Sequence, residues 1–173
     1  MSDLSTHDSV PTPAIERRDD LDRLVAVTWN GGDETGETSR NRWLVAVDGS
    51  ECSLRALEMA SRLAALGRDV GVEVDLVHVQ PWLVKEAAET ELARRGWAAT
   101  AQARQMLDAA SVRWHLHVVM GEAAPLIAEL AEALGSRGIA IGSHGLTAAE
   151  SLLLGSVAYK VVHLAKVPVL IVR

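Results

Sequence analysis

The stretch Ile139–Arg173 reads IAIGSHGLTAAESLLLGSVAYKVVHLAKVPVLIVR, and it decides the fold. Ile139–Ile141 is an apolar run too short for a helix, and it ends at Gly142. Ser156 to about Ala165 reads as a helix, and Val167–Val172 (VPVLIV) as a second apolar strand. Strand, glycine-bearing connection, helix and strand make a βαβ unit, whose strands lie parallel. Pro168 has no N–H to give a ladder, so the last strand belongs at a sheet edge.

Upstream the same alternation repeats. Leu44–Val47 is an apolar run closed by Asp48-Gly49-Ser50, and a helix follows from Glu51 to about Leu66. Ala56, Ala60 and Leu63 fall on one stripe of it, widened by Leu57 and Ala64, and Gly67 suits its C-terminal cap. Val72–Val79 (VEVDLVHV) is the next strand. A helical stretch covers Lys85 to Ala110, with Gly96 as the residue most able to divide it. Trp114–Met120 is a strand closed by Gly121. Pro125–Leu134 is a helix with Pro in its first turn and Gly135 past its end. The prediction is one α/β domain over residues 42–173. Its core is a Rossmann-like open parallel sheet of five strands with helices on both faces.

Residues 1–41 read differently. They hold nine acids against four bases, and the first twenty residues are polar with two prolines. They are expected to be a disordered acidic extension. Leu24–Trp29 (LVAVTW) is the one apolar piece, and Leu24–Val27 recurs as Leu44–Val47. It reads as an unstructured apolar patch, or as an added edge strand or docking segment.

Charge and composition exclude several classes. Residues 42–173 hold fourteen acids and thirteen bases with no basic stripe, so a nucleic-acid partner is not expected. No apolar run is long enough to span a membrane, and no secretory leader is visible. A single cysteine, Cys52, rules out an intrachain disulfide framework. A cytoplasmic protein is the expectation.

The chemistry concentrates in Gly142-Ser143-His144-Gly145, nine residues, then Gly155-Ser156. Gly142 leaves a strand where positive φ is often needed. Gly145 lets backbone approach a bulky anion. Gly155-Ser156 precedes a helix whose first N–H groups and dipole favour phosphate, and Ser156 can cap it. The spacer Leu146–Leu154 is a flap, anchored by Leu152–Leu154. Asp48 sits at the end of the first strand. Ligands of open parallel sheets bind beyond such strand ends. Its carboxylate suits ribose hydroxyls or a phosphate-bound metal, while Ser50 and Glu51 also suit a plain helix start.

LVAVDGSECSLRALEMA, LVHVQP and the whole of Ile139–Arg173 together resemble the universal stress protein family, over about residues 42–173. The resemblance implies strand order 3-2-1-4-5 and a homodimer through the last strand, Val167–Val172. The edge position of Pro168 and the apolar character of that strand point to the same pairing. It implies ATP as ligand, with or without Mg2+. Gly142, Gly145, Gly155, Ser156 and Val157 would contact phosphates and ribose, and Ser143 and His144 lie in the same loop. Asp48 would contact ribose or phosphates, Ala46 would line the base pocket, and the Val79 backbone would read adenine. Arg137 stands where the family often has an acid, and Pro81–Arg113 carries little of the family pattern.

No metal site is expected. His115 and His117 share a strand face, with no acid paired to them by pattern. Cys52 reads as packed and inert. No lysine lies within Gly142–Ser156, and no nucleophile elbow is present, so fast phosphoryl transfer lacks its usual parts. The expected function is an ATP-binding stress-response module, acting as a dimeric sensor or adaptor with a possible protein partner, and not an enzyme. The alternatives are a slow ATPase that phosphorylates its own Ser143 or Ser156, and a nucleotide-free adaptor.

Overall fold

The computed structural model describes residues 10–31, 42–66, 73–146 and 154–173. The elements are β1 (Ile15–Arg18), β2 (Leu24–Gly31), β3 (Trp43–Ala46), α1 (Glu51–Ala65), β4 (Glu73–Gln80), α2 (Lys85–Ala99), α3 (Ala101–Ala109), β5 (Arg113–Met120), α4 (Ala123–Ala133), β6 (Gly138–Gly142), α5 (Ser156–Leu164) and β7 (Val169–Val172). The strands form one seven-stranded sheet in the order β1-β2-β5-β4-β3-β6-β7. The five-stranded sheet of order 3-2-1-4-5 is therefore corrected. Five strands from β5 to β7 pair parallel, and β1 and β2 add an antiparallel hairpin beyond β5. β7 lies at the opposite edge.

The hairpin also corrects the reading of the first 41 residues as disordered, for residues 10–31; residues 1–9 and 32–41 lie outside the described residues. Leu24, Val25, Val27 and Trp29 are buried. The hairpin turn is tied by Asp19, whose carboxylate accepts the Leu21 and Arg23 N–H groups and the Arg23 guanidinium. Arg18 forms a two-bond ion pair with Glu89 of α2, at 2.6 and 3.0 Å.

Two apolar layers flank the sheet. On one side Ala56, Leu57 and Ala60 of α1, Ala88 and Leu92 of α2, and Ala103 and Leu107 of α3 pack with Val45, Leu76, Leu116 and Trp29. On the other, Ala124, Ile127 and Ala131 of α4 and Ala158 and Val161 of α5 pack with Leu44, Val77, Ile139 and Ile141. The expected break at Gly96 falls instead at Thr100, whose hydroxyl donates back to the Gly96 carbonyl at 2.8 Å. Gly96 stays helical for a packing reason: a Cβ there would lie 2.4 Å from Val118. Gly67, the expected cap of α1, lies outside the described residues.

The apolar run of β4 conceals two acids, Glu73 and Asp75, both buried. Arg42 Nε donates to Asp75 Oδ2 at 2.9 Å, and His117 Nε2 lies 3.2 Å from Asp75 Oδ1. His115 Nδ1 lies 3.3 Å from Glu73 Oε1. The histidine pair thus has acidic partners after all, supplied by the neighbouring strand, where a single-strand pattern cannot display them. Among the described residues no cluster fit to hold a metal is present.

Candidate functional site

β3, β4 and β6 end side by side, and their carboxyl ends open into a cavity of ≈ 380 Å³. That volume lies in the range of small-molecule sites. Ala46 and Asp48 come from the end of β3, Val79 from β4, and Gly142, Ser143, His144 and Gly145 from β6 and the loop after it. Gly155, Ser156 and Val157 come from the start of α5. All ten residues singled out from the sequence border this one cavity.

The loop after β6 is closed by backbone bonds. Gly155 N–H donates to the Ser143 carbonyl at 2.8 Å, and Ser143 N–H to the Val172 carbonyl at 2.7 Å. The stitching holds the β6 exit against the start of α5. The glycines are there for space. A Cβ on Gly142 would lie 2.8 to 2.9 Å from Cys52 and the Ser53 nitrogen, one on Gly145 would lie 2.6 Å from Asp48 Oδ2, and one on Gly155 would lie 3.0 Å from the Ser143 carbonyl. Gly142 does not have the expected positive φ; it is a strand residue against which α1 packs. Leu146 borders the cavity, but the rest of the expected flap, up to residue 153, lies outside the described residues.

Asp48 joins two loops: its Oδ1 accepts Ser50 N–H at 2.9 Å and its Oδ2 accepts Leu146 N–H at 3.2 Å. Ser50 caps α1, accepting the Ser53 N–H at 3.3 Å. Ser156 does not cap α5; the cap position is Gly155, with no side-chain bond. The first N–H groups of α5 therefore lie at the cavity without a capping side chain, an arrangement that favours anions. Ser143 is buried and its hydroxyl lies 2.9 Å from His144 Nδ1. No Lys or Arg is among the described residues that border the cavity, and Asp48 is the one carboxylate.

Sequence reasoning did not find the rest of the wall: Val47, Ser53, Val77, Ala123, Ile127, Ile141 and Ala158. Ile127 and Ala123 come from α4, and Ile141 from the buried interior of β6. These are ordinary core positions in the sequence, so no local signal sets them apart. His78 also borders the cavity, and its Nδ1 lies 2.9 Å from the Val47 carbonyl.

Comparison with known proteins gives a consistent answer. The profile of the universal stress protein family matches residues 40–173. Universal stress protein YxiE of Bacillus subtilis is 31% identical over 147 residues, covering 77% of this chain and 99% of its own. Among solved structures, the protein MJ0577 superposes with a TM-score of 0.67 at 25% identity, over 78% of this chain and 96% of its own. A universal stress protein solved in complex with cAMP superposes with a TM-score of 0.62 at 25% identity, over 77% of this chain and 97% of its own.

Proposed function

Because this chain belongs to the universal stress protein family, we propose that its cavity holds an adenine nucleotide and that the protein acts as a nucleotide-dependent regulatory module rather than as an enzyme. The observation that carries the reading is the uncapped start of α5 facing the glycine loop across one cavity. Phosphate would rest on backbone N–H groups and the helix dipole. The apolar wall of Ala46, Val77, Ile127 and Ile141 suits a base. Asp48 and the Val79 backbone extend the site to ribose and base. A relative solved with cAMP supports the ligand class.

ATP is the ligand we favour. Any Mg2+ would arrive on its phosphates, with Asp48 as the available carboxylate. Hydrolysis finds no cationic partner for the transferring phosphoryl group among the described cavity residues. Self-modification at Ser143 is disfavoured by its burial.

The homodimer is part of the same proposal. β7 is an edge strand, and Ile171, Val162, Leu164 and Tyr159 on β7 and α5 are exposed. A second copy joined through Val167–Val172 would cover them and remove an open edge.

The test is mass spectrometry of the small molecule released when the purified protein is denatured, alongside phosphate release from ATP. An adenine nucleotide in the released fraction and negligible turnover are expected. A turnover well above that of a Gly155→Trp control would return the protein to the enzymes.

A further inference from the structure

β3 and β4 run parallel with Ala46 opposite Val77, which sets Val47 opposite His78. A parallel ladder continued at that point would carry two bonds: Val47 N–H to the Val77 carbonyl, and Val79 N–H to the Val47 carbonyl. The first is present at 2.9 Å. In place of the second, the Val47 carbonyl meets His78 Nδ1 at 2.9 Å, and β3 ends at Ala46. A carbonyl only accepts, so Nδ1 carries the proton and donates.

The consequence falls on Val79. Backbone groups alternate sides along a strand, so Val79 turns its N–H and C=O the way Val77 does, toward the β3 side. There β3 has ended, and Val79 borders the cavity. We propose that His78 is a positioning residue for base recognition: by taking up the Val47 carbonyl, it leaves the Val79 N–H open, beside a Val79 C=O that β3 no longer reaches, to the edge of a bound base. This rests on the nucleotide reading given above. A free peptide edge offers one donor beside one acceptor. Adenine meets it with the N1 acceptor beside the 6-amino donor. Guanine in the same pose sets N1–H against N–H and O6 against C=O. The ligand class that His78 selects is therefore the 6-aminopurine nucleotide.

His78→Leu removes the donor, and His78→Asn returns an amide N–H near the position of Nδ1. His78→Phe takes the place of His78→Leu should that variant fail to fold. In the ligand-free protein, amide hydrogen exchange at Val79 should slow at least tenfold in His78→Leu, as the ladder closes on the Val47 carbonyl, and return to the wild-type rate in His78→Asn. The wild-type protein should bind AMP about tenfold more tightly than its 1-deaza analogue, which lacks the N1 acceptor; tenfold is about 1.4 kcal/mol. His78→Leu should lose that preference and His78→Asn regain it. Equal Val79 exchange in all variants, or a preference for AMP intact in His78→Leu, would overturn the role of His78. Failure of the wild-type protein to bind any adenine nucleotide would overturn the nucleotide reading instead, and the exchange measurement would still decide whether His78 interrupts the ladder.

Discussion

Asp48 accepts the Leu146 N–H at 3.2 Å, across 98 residues of sequence. The same carboxylate accepts the Ser50 N–H, so one side chain fixes the exit of β3 to the loop after β6. Hydrogen bonds to a charged acceptor contribute roughly 1.5–3 kcal/mol. Asp48→Ala is expected to lower stability by about 1–3 kcal/mol in urea denaturation and to weaken nucleotide binding. Asp48→Asn, which keeps one acceptor oxygen, should lose less of both.

The glycines of the loop should not be equivalent. An alanine at Gly142 drives its Cβ against the backbone of Cys52 and Ser53, which cannot yield without moving α1. An alanine at Gly145 meets only the end of the Asp48 side chain. Gly142→Ala is therefore expected to cost about 1–3 kcal/mol, the usual range for overpacking. Gly145→Ala should cost less in thermal melting and show its effect mainly in ligand affinity. Equal melting temperatures for the two variants would contradict this ordering.

The hairpin is predicted to be an integral part of the domain. Trp29 of β2 is buried, with its ring 5.2 Å from that of Trp97, which in turn lies 6.4 Å from that of Trp114. Trp29→Ala is expected to cost about 3–5 kcal/mol. An unchanged denaturation midpoint would show that β2 detaches without consequence.

Stability should fall with acid in two stages. Burial pushes His115 below the ordinary histidine value, offset only in part by the charge of Asp75. A histidine depressed in the folded state is protonated first in the unfolded chain. Stability therefore begins to fall as pH drops below about 6.5, and falls until His115 itself titrates. Burial alone would raise Asp75, but the hydrogen bonds of His117 and Arg42, with their charges, outweigh it and hold Asp75 below its ordinary value. Its contribution is present above about pH 4 and is lost as pH falls through its lower folded value. Urea midpoints measured from pH 8 to pH 3 check both stages. Asp75→Asn should remove the lower one, and His115→Gln the upper.

Much of this was legible in the sequence, and the physical reasons are specific. The parallel strands announce themselves because both faces are buried and the runs are apolar. Of the residues that border the cavity, Asp48 and the loop glycines were legible because they stand at a strand end or in a loop where a close approach admits no side chain, while Ala46, Val79 and Val157 came only through the family resemblance. The hairpin was hidden: β1 (IERR) is exposed throughout and exists through backbone pairing, which leaves no apolar signature. β2 shows alternation, but one strand cannot name its partner. The Asp75 cluster was hidden because Arg42, Asp75 and His117 come from three separate segments. Gly142 was found for the wrong reason; the collision with α1 exists only in three dimensions.

Equilibrium titration of the purified, nucleotide-stripped protein with ATP, AMP and cAMP, read by thermal denaturation, tests the central claim most directly. A ligand present at a hundredfold its Kd adds about 2.7 kcal/mol of stability. At least one of these adenine nucleotides should raise the melting temperature by that equivalent, with GTP well behind and with Gly155→Trp unresponsive. Identical melting curves with and without all three at millimolar concentration would contradict it.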